Sequence, residues 1–340
     1  MKRCICFLLA MTLLLAGCSG QEPERKKYTA TFLTLFDTVT SIVGFAESEE
    51  AFQETAQQIH DDLLYYHQLF DIYQEYEGIA NLKTINDSAA VAPVKTEKAV
   101  IDLLLDCKAY YTLTGGKVNA AMGSVLALWH EARNEGIDDP RTARLPDQDA
   151  LEEASRHTDF DRVIIDEAAS TVFITDPDLR LDVGAIAKGW SVQKVCETAP
   201  EGLLISVGGN VCATGLKDEA GSKWVVGIQH PDKGSEYLHT LYLGKECLVT
   251  SGDYQRNYVV DGQLYHHIID PDTLFPSTYW RSVTILCADS GMADALSTAL
   301  FLLPQAQGQA LLDQTGAMAI WVAMDGSVFY SPGIQELIRT

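Results

Sequence analysis

The second half of the chain is divided into many short apolar runs, and this pattern constrains the fold more than any other feature of the sequence. Turn signals such as Asp261-Gly262 separate several of the runs, as expected for β-strands joined by loops. The runs are Val163 to Ile165, Thr171 to Ile174, Leu203 to Val207, Lys223 to Ile228, Leu238 to Leu243, Tyr258 to Val260 and Ser282 to Leu286. A helix is expected among them, from about Met292 to Leu303.

The first half carries helical periodicity. Apolar residues recur at three- and four-residue steps, which predicts a long amphipathic helix with Ser48 as a possible N-cap; they are Phe52, Ala56, Ile59, Leu63, Tyr66, Phe70 and Tyr73. A second helix is predicted over Thr96 to Leu113, ended by two glycines. A strand is predicted over Phe36 to Phe45. The polar segment from Asn134 to Asp149 is predicted to form a surface loop. We therefore expect an α+β fold in which helices pack on an extended mixed or antiparallel sheet.

Length and charge limit the function. The chain has 340 residues, of which 47% are hydrophobic, enough for the core of one large domain or two closely joined ones. Its formal net charge of −22 repels polyanions, so direct binding of nucleic acid is not expected. An anionic ligand must therefore be held by local lysines, backbone N–H groups or a metal ion.

The N-terminus has the pattern of a targeting signal. Lys2 and Arg3 precede an apolar run from Ile5 to Leu15, which is too short to cross a hydrocarbon layer of roughly 30 Å. Leu-Ala-Gly-Cys follows and resembles a bacterial lipobox, in which Cys18 is acylated; the alternative is an ordinary signal peptide with an incidental cysteine. We expect a signal peptide over 1–18, a flexible tether over 19–30, a domain over 31–335, and a lipid anchor on the extracytoplasmic face of the cell membrane.

Five cysteines lie beyond this leader. They are far apart and show neither CxxC nor zinc spacing. We expect buried free thiols rather than a disulfide framework. The residues are Cys107, Cys196, Cys212, Cys247 and Cys287.

Asp294 and Thr298 could form a metal site. They lie four residues apart in a predicted helix, so their oxygen-bearing side chains share one face. Two hard donors fit magnesium or calcium, with water and substrate phosphate completing the shell. The alternative is an exposed acid beside a threonine that bonds back to the backbone.

Two glycine-containing segments could approach a ligand closely. Asp182, Gly184 and Lys188 belong to DVGAIAKG, at the expected exit of a strand over Leu179 to Val183 into a helix that begins near Ala185. Backbone N–H groups and a lysine there suit a phosphate or ribose, although a tight strand-to-helix turn is the alternative. Gly208, Gly209 and Asn210 follow another apolar run and form either the border of a planar ligand or a plain turn.

The segment from Val249 to Pro271 combines a hydroxyl-rich turn, a strand hairpin and His-Ile-Ile-Asp-Pro. His267 could move a proton near neutral pH. A histidine in a strand can equally be a hydrogen-bonded structural residue. Because His266 adjoins it, spacing alone leaves open which imidazole faces a site.

Taken together, these segments resemble the ApbE family, the FAD:protein FMN transferases. The resemblance rests on DVGAIAKG at 182–189, VGGN at 207–210, TSGDYxRxxxxDGxxxHHIIDP at 250–271 and ADALSTAL at 293–300, and runs from about Phe32 to about Ser331. It implies a single large domain of the ApbE type, related to the T-fold. Phe36-Asp37-Thr38 stands where many members have Met-Gly-Thr.

The resemblance also implies a site. Mg²⁺ would be held by the carbonyl of Ala185 and the side chains of Asp294 and Thr298, and His267 would be the catalytic residue. The expected FAD contacts are Phe36, Tyr73, Met122, Gly123, Ser124, Asp182, Lys188, Gly208, Gly209, Asn210 and Ile269.

The implied reaction moves FMN from FAD to a Thr or Ser hydroxyl of a target protein, with release of AMP. The alternatives are Mg²⁺-dependent hydrolysis of FAD to FMN and AMP in the same site, and a lipid-anchored flavin-binding protein without turnover. The expected acceptors are flavin-carrying subunits of membrane electron-transfer complexes or secreted flavoproteins.

Overall fold

A computed structural model describes residues 25–339, apart from Lys233 and Ser235. The predicted signal peptide and Cys18 therefore lie outside the described residues. Within the described range, none of the helices has both the length and the apolar character needed to cross a membrane.

The structure has an α+β fold built on an antiparallel sheet, as predicted. The helices are α1 (Glu49–Phe70), α2 (Leu82–Asp87), α3 (Lys98–Leu113), α4 (Gly123–Asp138), α5 (Gln148–Ala154), α6 (Ala187–Thr198), α7 (Ser290–Phe301) and α8 (Gln305–Thr315). The strands are β1 (Lys26–Phe32), β2 (Thr40–Ala46), β3 (Val94–Lys95), β4 (Val163–Asp166), β5 (Thr171–Ile174), β6 (Leu203–Val207), β7 (Asn210–Ala213), β8 (Trp224–Gln229), β9 (Tyr237–Leu243), β10 (Cys247–Gly252), β11 (Asn257–Val260), β12 (Gln263–His266), β13 (Trp280–Cys287), β14 (Met318–Ala323) and β15 (Val328–Tyr330).

The main sheet has eight strands in the order β1-β2-β6-β7-β10-β13-β14-β15. Alternate residues of its strands face opposite sides, so Ile42 packs against α1 and α6 while Val43 packs against the β8–β9 hairpin. A larger apolar cluster joins α3 and α7 to the small β3-β5-β4 sheet. The sheet therefore has helices on one face and a hairpin on the other.

The sequence-predicted strands appear within the described residues, except the one expected over Leu179 to Val183, and several boundaries differ. The strand expected from Phe36 begins only at Thr40, because Phe36 and Asp37 adopt left-handed backbone with φ of 53° and 52°. β1 begins at Lys26, inside the range predicted as a tether. Leu179 to Val183 forms no strand; its one ladder contact is an isolated bridge from Arg180 to Met122.

The helices also differ from prediction at their ends. Ser48 caps α1 as expected, its Oγ accepting from Ala51 N–H at 3.2 Å, but α1 ends at Phe70 and leaves Tyr73 in a loop. The prediction of a loop from Asn134 is wrong for its first five residues, because α4 continues to Asp138. α6 begins at Ala187, two residues later than expected.

The cysteine prediction is wrong for one pair. Cys212 on β7 and Cys247 on β10 are directly opposed in the sheet and form a disulfide, whereas Cys107, Cys196 and Cys287 are free. The pairing could not be predicted from the sequence, because the two cysteines are 35 residues apart and only the strand register brings their sulfurs together.

Candidate active site

A cavity of about 650 Å³ opens beside the junction of α6, α7 and β10. It brings together most of the residues that the sequence pointed to. Those that line it are Phe36, Tyr73, Met122, Asp182, Ala185, Lys188, Gly208, Asn210, His267, Ile269, Asp294 and Thr298. Segments up to 262 residues apart in the chain thus meet in one concave site, the usual setting for a small-molecule ligand.

Three predicted contact residues support the cavity from outside its lining. Gly123 begins α4, and a Cβ there would lie 2.5 Å from the carbonyl oxygen of Arg180. Ser124 turns away and donates to the carbonyl of Asp178 at 2.5 Å. Gly209, with φ of 94°, forms the tight turn between β6 and β7. Backbone geometry thus explains the two glycines, and a side-chain hydrogen bond explains Ser124, without exposure to the cavity.

Asp294 is the buried acid of the site. Its side chain lies on α7, and its Oδ2 accepts from the N–H of Gly189 at 2.8 Å and contacts Lys188 Nζ at 3.4 Å. Its Oδ1 has no hydrogen-bond partner among the residues that the structure describes. One carboxylate oxygen is thus fixed by α6, and the other remains available in the cavity.

The donors around Asp294 fit a hard divalent cation. Thr298 lies one helical turn further along α7, and the turn containing Ala185 precedes α6; both line the same cavity. A carboxylate, a hydroxyl and a main-chain carbonyl are all oxygen donors, which Mg²⁺ prefers. The residues present therefore match the chemistry of a Mg²⁺ site.

Positive charge gathers at this cavity in a strongly acidic protein. Lys188 and Arg256 line it, and Arg133 on α4 lies close to both Arg256 and the cavity histidine. Among the described residues, neither arginine forms a salt bridge; Arg256 donates only to the carbonyl of Phe36, at 3.4 Å. Cations without a protein counter-charge favour an anionic ligand.

The structure distinguishes the two adjacent histidines. The ring of His266 is buried and tied down at both nitrogens, by the carbonyl of Ser277 at 2.8 Å and the N–H of Ile268 at 3.2 Å. His267 instead faces the cavity, and its Nδ1 is buried without a partner among the described residues. Burial and the nearby Arg256 lower the pKa of His267 to about 3, so the imidazole is neutral and can accept a proton.

Asn210 also lines the cavity and offers it an unused donor. The residue is 2% exposed, and its Nδ2 has no partner within the described part of the chain. It begins β7 two residues after Gly208, which has φ of 56° and lies so close to Thr38 that a side chain would not fit. A buried amide that lines a cavity with an unpaired N–H is suited to an acceptor atom of a ligand.

The sequence analysis missed His130 and Arg133 on α4, of which His130 contacts the predicted residue Tyr73. Tyr73 and His130 are joined by a hydrogen bond of 2.7 Å between Oη and Nδ1. Desolvation and Asp182 raise the pKa of Tyr73 to about 12, while burial lowers that of His130, so the phenol donates and the imidazole accepts. His130 and Arg133 are three residues apart on α4 and share a face; this helical spacing was the signal, but no helix was predicted there.

Phe36 has a strained backbone conformation at the edge of the site. Its φ of 53° lies in the left-handed region, which costs a non-glycine residue free energy. Its N–H is held by His67 Nδ1 at 3.3 Å, and its ring packs edge-on against the same imidazole at 5.4 Å between centroids. The surrounding contacts thus impose a conformation that directs Phe36 to the cavity.

Comparison with known proteins identifies a family. The model of the ApbE family matches residues 36–321. The FAD:protein FMN transferase of Treponema pallidum (strain Nichols) is 34% identical over 298 residues, 80% of each chain. That of Escherichia coli (strain K12) is 26% identical over 337 residues, covering 95% of this chain and 93% of its own.

Solved structures show the same architecture. The ApbE protein from Thermotoga maritima superposes with a TM-score of 0.81 at 28% identity, covering 93% of this chain and all of its own. The flavin transferase ApbE from Vibrio cholerae gives a TM-score of 0.75 at 21% identity over 92% of this chain and 99% of its own, a likeness of fold.

Proposed function

The chain belongs to the ApbE family, and we propose that it is an FAD:protein FMN transferase, which moves FMN from FAD to a Thr or Ser hydroxyl of an acceptor protein and releases AMP. The observation that carries this proposal is the meeting of oxygen donors, unpaired cations and a neutral histidine in one cavity. Phosphoryl-type transfer depends chiefly on positioning and charge stabilisation, which these groups supply.

FAD binding uses both walls of the cavity. Lys188 and Arg256 offset the charge of the pyrophosphate, and Asn210 donates its unpaired N–H to the flavin nucleotide. The partly buried ring of Phe36 and the exposed ring of Tyr73 line the cavity and provide apolar surface for the aromatic parts of the ligand.

We assign Asp294, Thr298 and the carbonyl of Ala185 as the residues that hold Mg²⁺. When bound, Mg²⁺ neutralises negative charge on the pyrophosphate oxygens. Gly189 N–H keeps the carboxylate of Asp294 in place through its bond to Oδ2, and Lys188 adds a second positive charge beside it.

His267 receives the proton in the transfer step. The acceptor hydroxyl attacks the FMN-side phosphorus of FAD, a new phosphoester P–O bond forms, and the P–O bond to AMP breaks. His267 takes the hydroxyl proton as general base. Burial, and after it the charges of Arg256 and Lys188, lower the pKa of the free imidazole. Pairing of these cations with FAD phosphates offsets their charge, so substrate binding makes His267 more basic.

Two other activities would use the same residues. Water in place of the acceptor hydroxyl gives FAD hydrolysis, and a site without turnover gives a flavin-binding protein. Transfer is favoured because the relatives that cover most of both chains carry the name FAD:protein FMN transferase.

We further propose that the protein acts outside the cytoplasmic membrane, anchored by a lipid at Cys18. The Lys-Arg start, the short apolar run and the Leu-Ala-Gly-Cys sequence support this. The acceptors are then flavin-carrying subunits of membrane electron-transfer complexes or secreted flavoproteins. Fractionation of cells that express the full chain or Cys18→Ala tests the anchor: the parent should sediment with membranes and the variant should not.

The reaction is tested by the intact mass of a candidate acceptor domain after incubation with residues 19–340, FAD and Mg²⁺. A gain equal to FMN minus water, abolished by a chelator, supports transfer. Free FMN and AMP without an adduct would indicate hydrolysis, and unchanged FAD would leave flavin binding.

A further inference from the structure

Among the described residues, none gives the imidazole of His267 the hydrogen bond that ordinarily orients a catalytic base. In many active sites a third group binds the second nitrogen of the histidine and fixes its ring. Here Nδ1 is buried with no partner among the described residues. The position of the ring must therefore follow from how the backbone is held on either side. On the N-terminal side, His267 N–H donates to the carbonyl of Arg256 at 3.1 Å.

An ion pair holds the C-terminal side. Lys117 Nζ contacts Asp270 Oδ1 at 2.7 Å and Asp272 Oδ2 at 2.8 Å. The side chains of Lys117 and Asp270 are only 14% and 11% exposed, whereas that of Asp272 is 77% exposed. Asp270 also organises its own turn, because its Oδ1 accepts from the N–H of Asp272 at 3.0 Å and its carbonyl from the N–H of Leu274 at 2.7 Å.

Lys117 belongs to the facing wall of the cavity. Its segment is joined to the extended segment around Asp182 by two backbone bonds, from Asp182 N–H to the carbonyl of Ala120 at 2.8 Å and from Gly123 N–H to the carbonyl of Arg180 at 2.9 Å. Both Lys117 and Ile269 line the cavity. The ion pair therefore links the wall that carries Asp182 to the wall that carries His267.

Stability alone is a poor explanation for this pair. Removing two charges from water is costly, and apolar side chains of similar size commonly replace a buried ion pair without loss. A charged pair does, however, fix a distance and a direction through its hydrogen bonds. Asp270 lies three residues from His267, so the ion pair can fix the backbone beside an imidazole whose Nδ1 has no partner among the described residues.

We propose that Lys117 is a positioning residue for His267, and that the Lys117–Asp270 ion pair sets the position of the imidazole relative to the phosphorus under attack. This inference rests on the proposed function. It assigns to Lys117 an effect on the rate of transfer rather than on the affinity for FAD.

Lys117→Met tests it, because methionine keeps the length of the side chain and removes its charge. We expect kcat for acceptor labelling to fall roughly 10- to 100-fold, the size of effect that a misplaced catalytic group produces. The Kd for FAD, followed by flavin fluorescence, should stay near that of the parent. Lys117→Arg should recover much of the rate because it can still pair with Asp270. Lys98→Met, which removes the exposed pair with Asp102 on α3, is the control and should leave kcat unchanged.

The double variant Lys117→Met/Asp270→Asn separates positioning from folding. It removes the unpaired buried carboxylate, so its melting temperature should rise above that of Lys117→Met. If the inference holds, kcat stays low in the double variant. Recovery of kcat together with melting temperature would overturn it, as would a loss confined to FAD affinity. A parent protein that labels no acceptor would contradict the proposed function, and this inference with it.

Discussion

The backbone N–H of Gly189 donates a hydrogen bond of 2.8 Å to the carboxylate of Asp294, and this contact joins α6 to α7 at the centre of the cavity. The two helices can approach so closely only because residue 189 has no side chain. A Cβ there would lie 2.5 Å from Asp294 Cβ and would also collide with the carbonyl oxygen of Ser290. The acid proposed to hold Mg²⁺ is thus oriented by a glycine.

Gly189→Ala should therefore impair both folding and transfer. The added methyl group has to push α6 from α7, and overpacking of this kind costs about 1–3 kcal/mol. Urea unfolding measures the loss, and acceptor labelling should fall with it because Asp294 loses its bond. Gly308→Ala on α8 is the control, since its nearest neighbour is the side chain of Leu300 at 3.2 Å. Equal stability of the two variants would contradict this account of Gly189.

Asn210→Leu should stabilise the free protein while weakening FAD binding. The substitution removes an unpaired buried amide, which should raise the free energy of unfolding by about 1 kcal/mol, and it removes the donor proposed to meet the nucleotide. Asn86→Leu is a matched contrast, because Asn86 is buried with both amide groups bonded to the backbone of Leu181. That change should destabilise the protein. Unaltered FAD affinity in Asn210→Leu would argue against a ligand contact.

His267→Ala should retain FAD and lose transfer. The imidazole is proposed to take the acceptor proton, a role that typically contributes a factor of about 10²–10⁴ to the rate. Fluorescence titration with FAD and the rate of acceptor labelling measure the two properties separately. His266→Gln is the contrasting variant. Because His266 is hydrogen-bonded to the carbonyl of Ser277, this change should lower stability rather than abolish transfer selectively. Near-normal transfer by His267→Ala would remove the residue from the mechanism.

The titration of His267 should change when FAD binds. Burial and Arg256 hold its pKa well below the ordinary value of about 6.5, so in the free protein the ring should remain neutral down to about pH 4. FAD phosphates offset the cations and should raise the pKa. NMR of ¹³C-labelled histidine, assigned with His267→Gln, follows both states. A free-protein titration near the ordinary value, or no upward shift with FAD, would contradict the proposed charge balance.

The sequence predicted which strands form the sheet and which residues line the cavity better than it predicted where each strand begins and ends. Short apolar runs such as Leu203 to Val207 appear as strands because period and turn residues are local properties. The beginning of β2 was misplaced because Phe36 is held in left-handed backbone by His67, a residue on a distant helix. Local sequence propensity cannot predict a contact between residues this far apart in the chain.

The residues that sequence analysis missed share a physical reason. His130, Arg133 and Lys117 reach the site through tertiary contacts with Tyr73, Arg256 and Asp270, and none of these pairs is close in sequence. The choice between His266 and His267 likewise needed the orientation of each ring. The disulfide between Cys212 and Cys247 needed the strand register.

The most direct test of the transferase is the ratio of AMP released to FMN attached to the acceptor, measured together by chromatography and intact mass. The account predicts one AMP for each adduct in the parent protein. Both products should fall at least about 100-fold in Asp294→Asn, which keeps the shape of the acid and removes the charge at the proposed Mg²⁺ site. AMP released without an adduct, or full labelling by Asp294→Asn, would contradict the account.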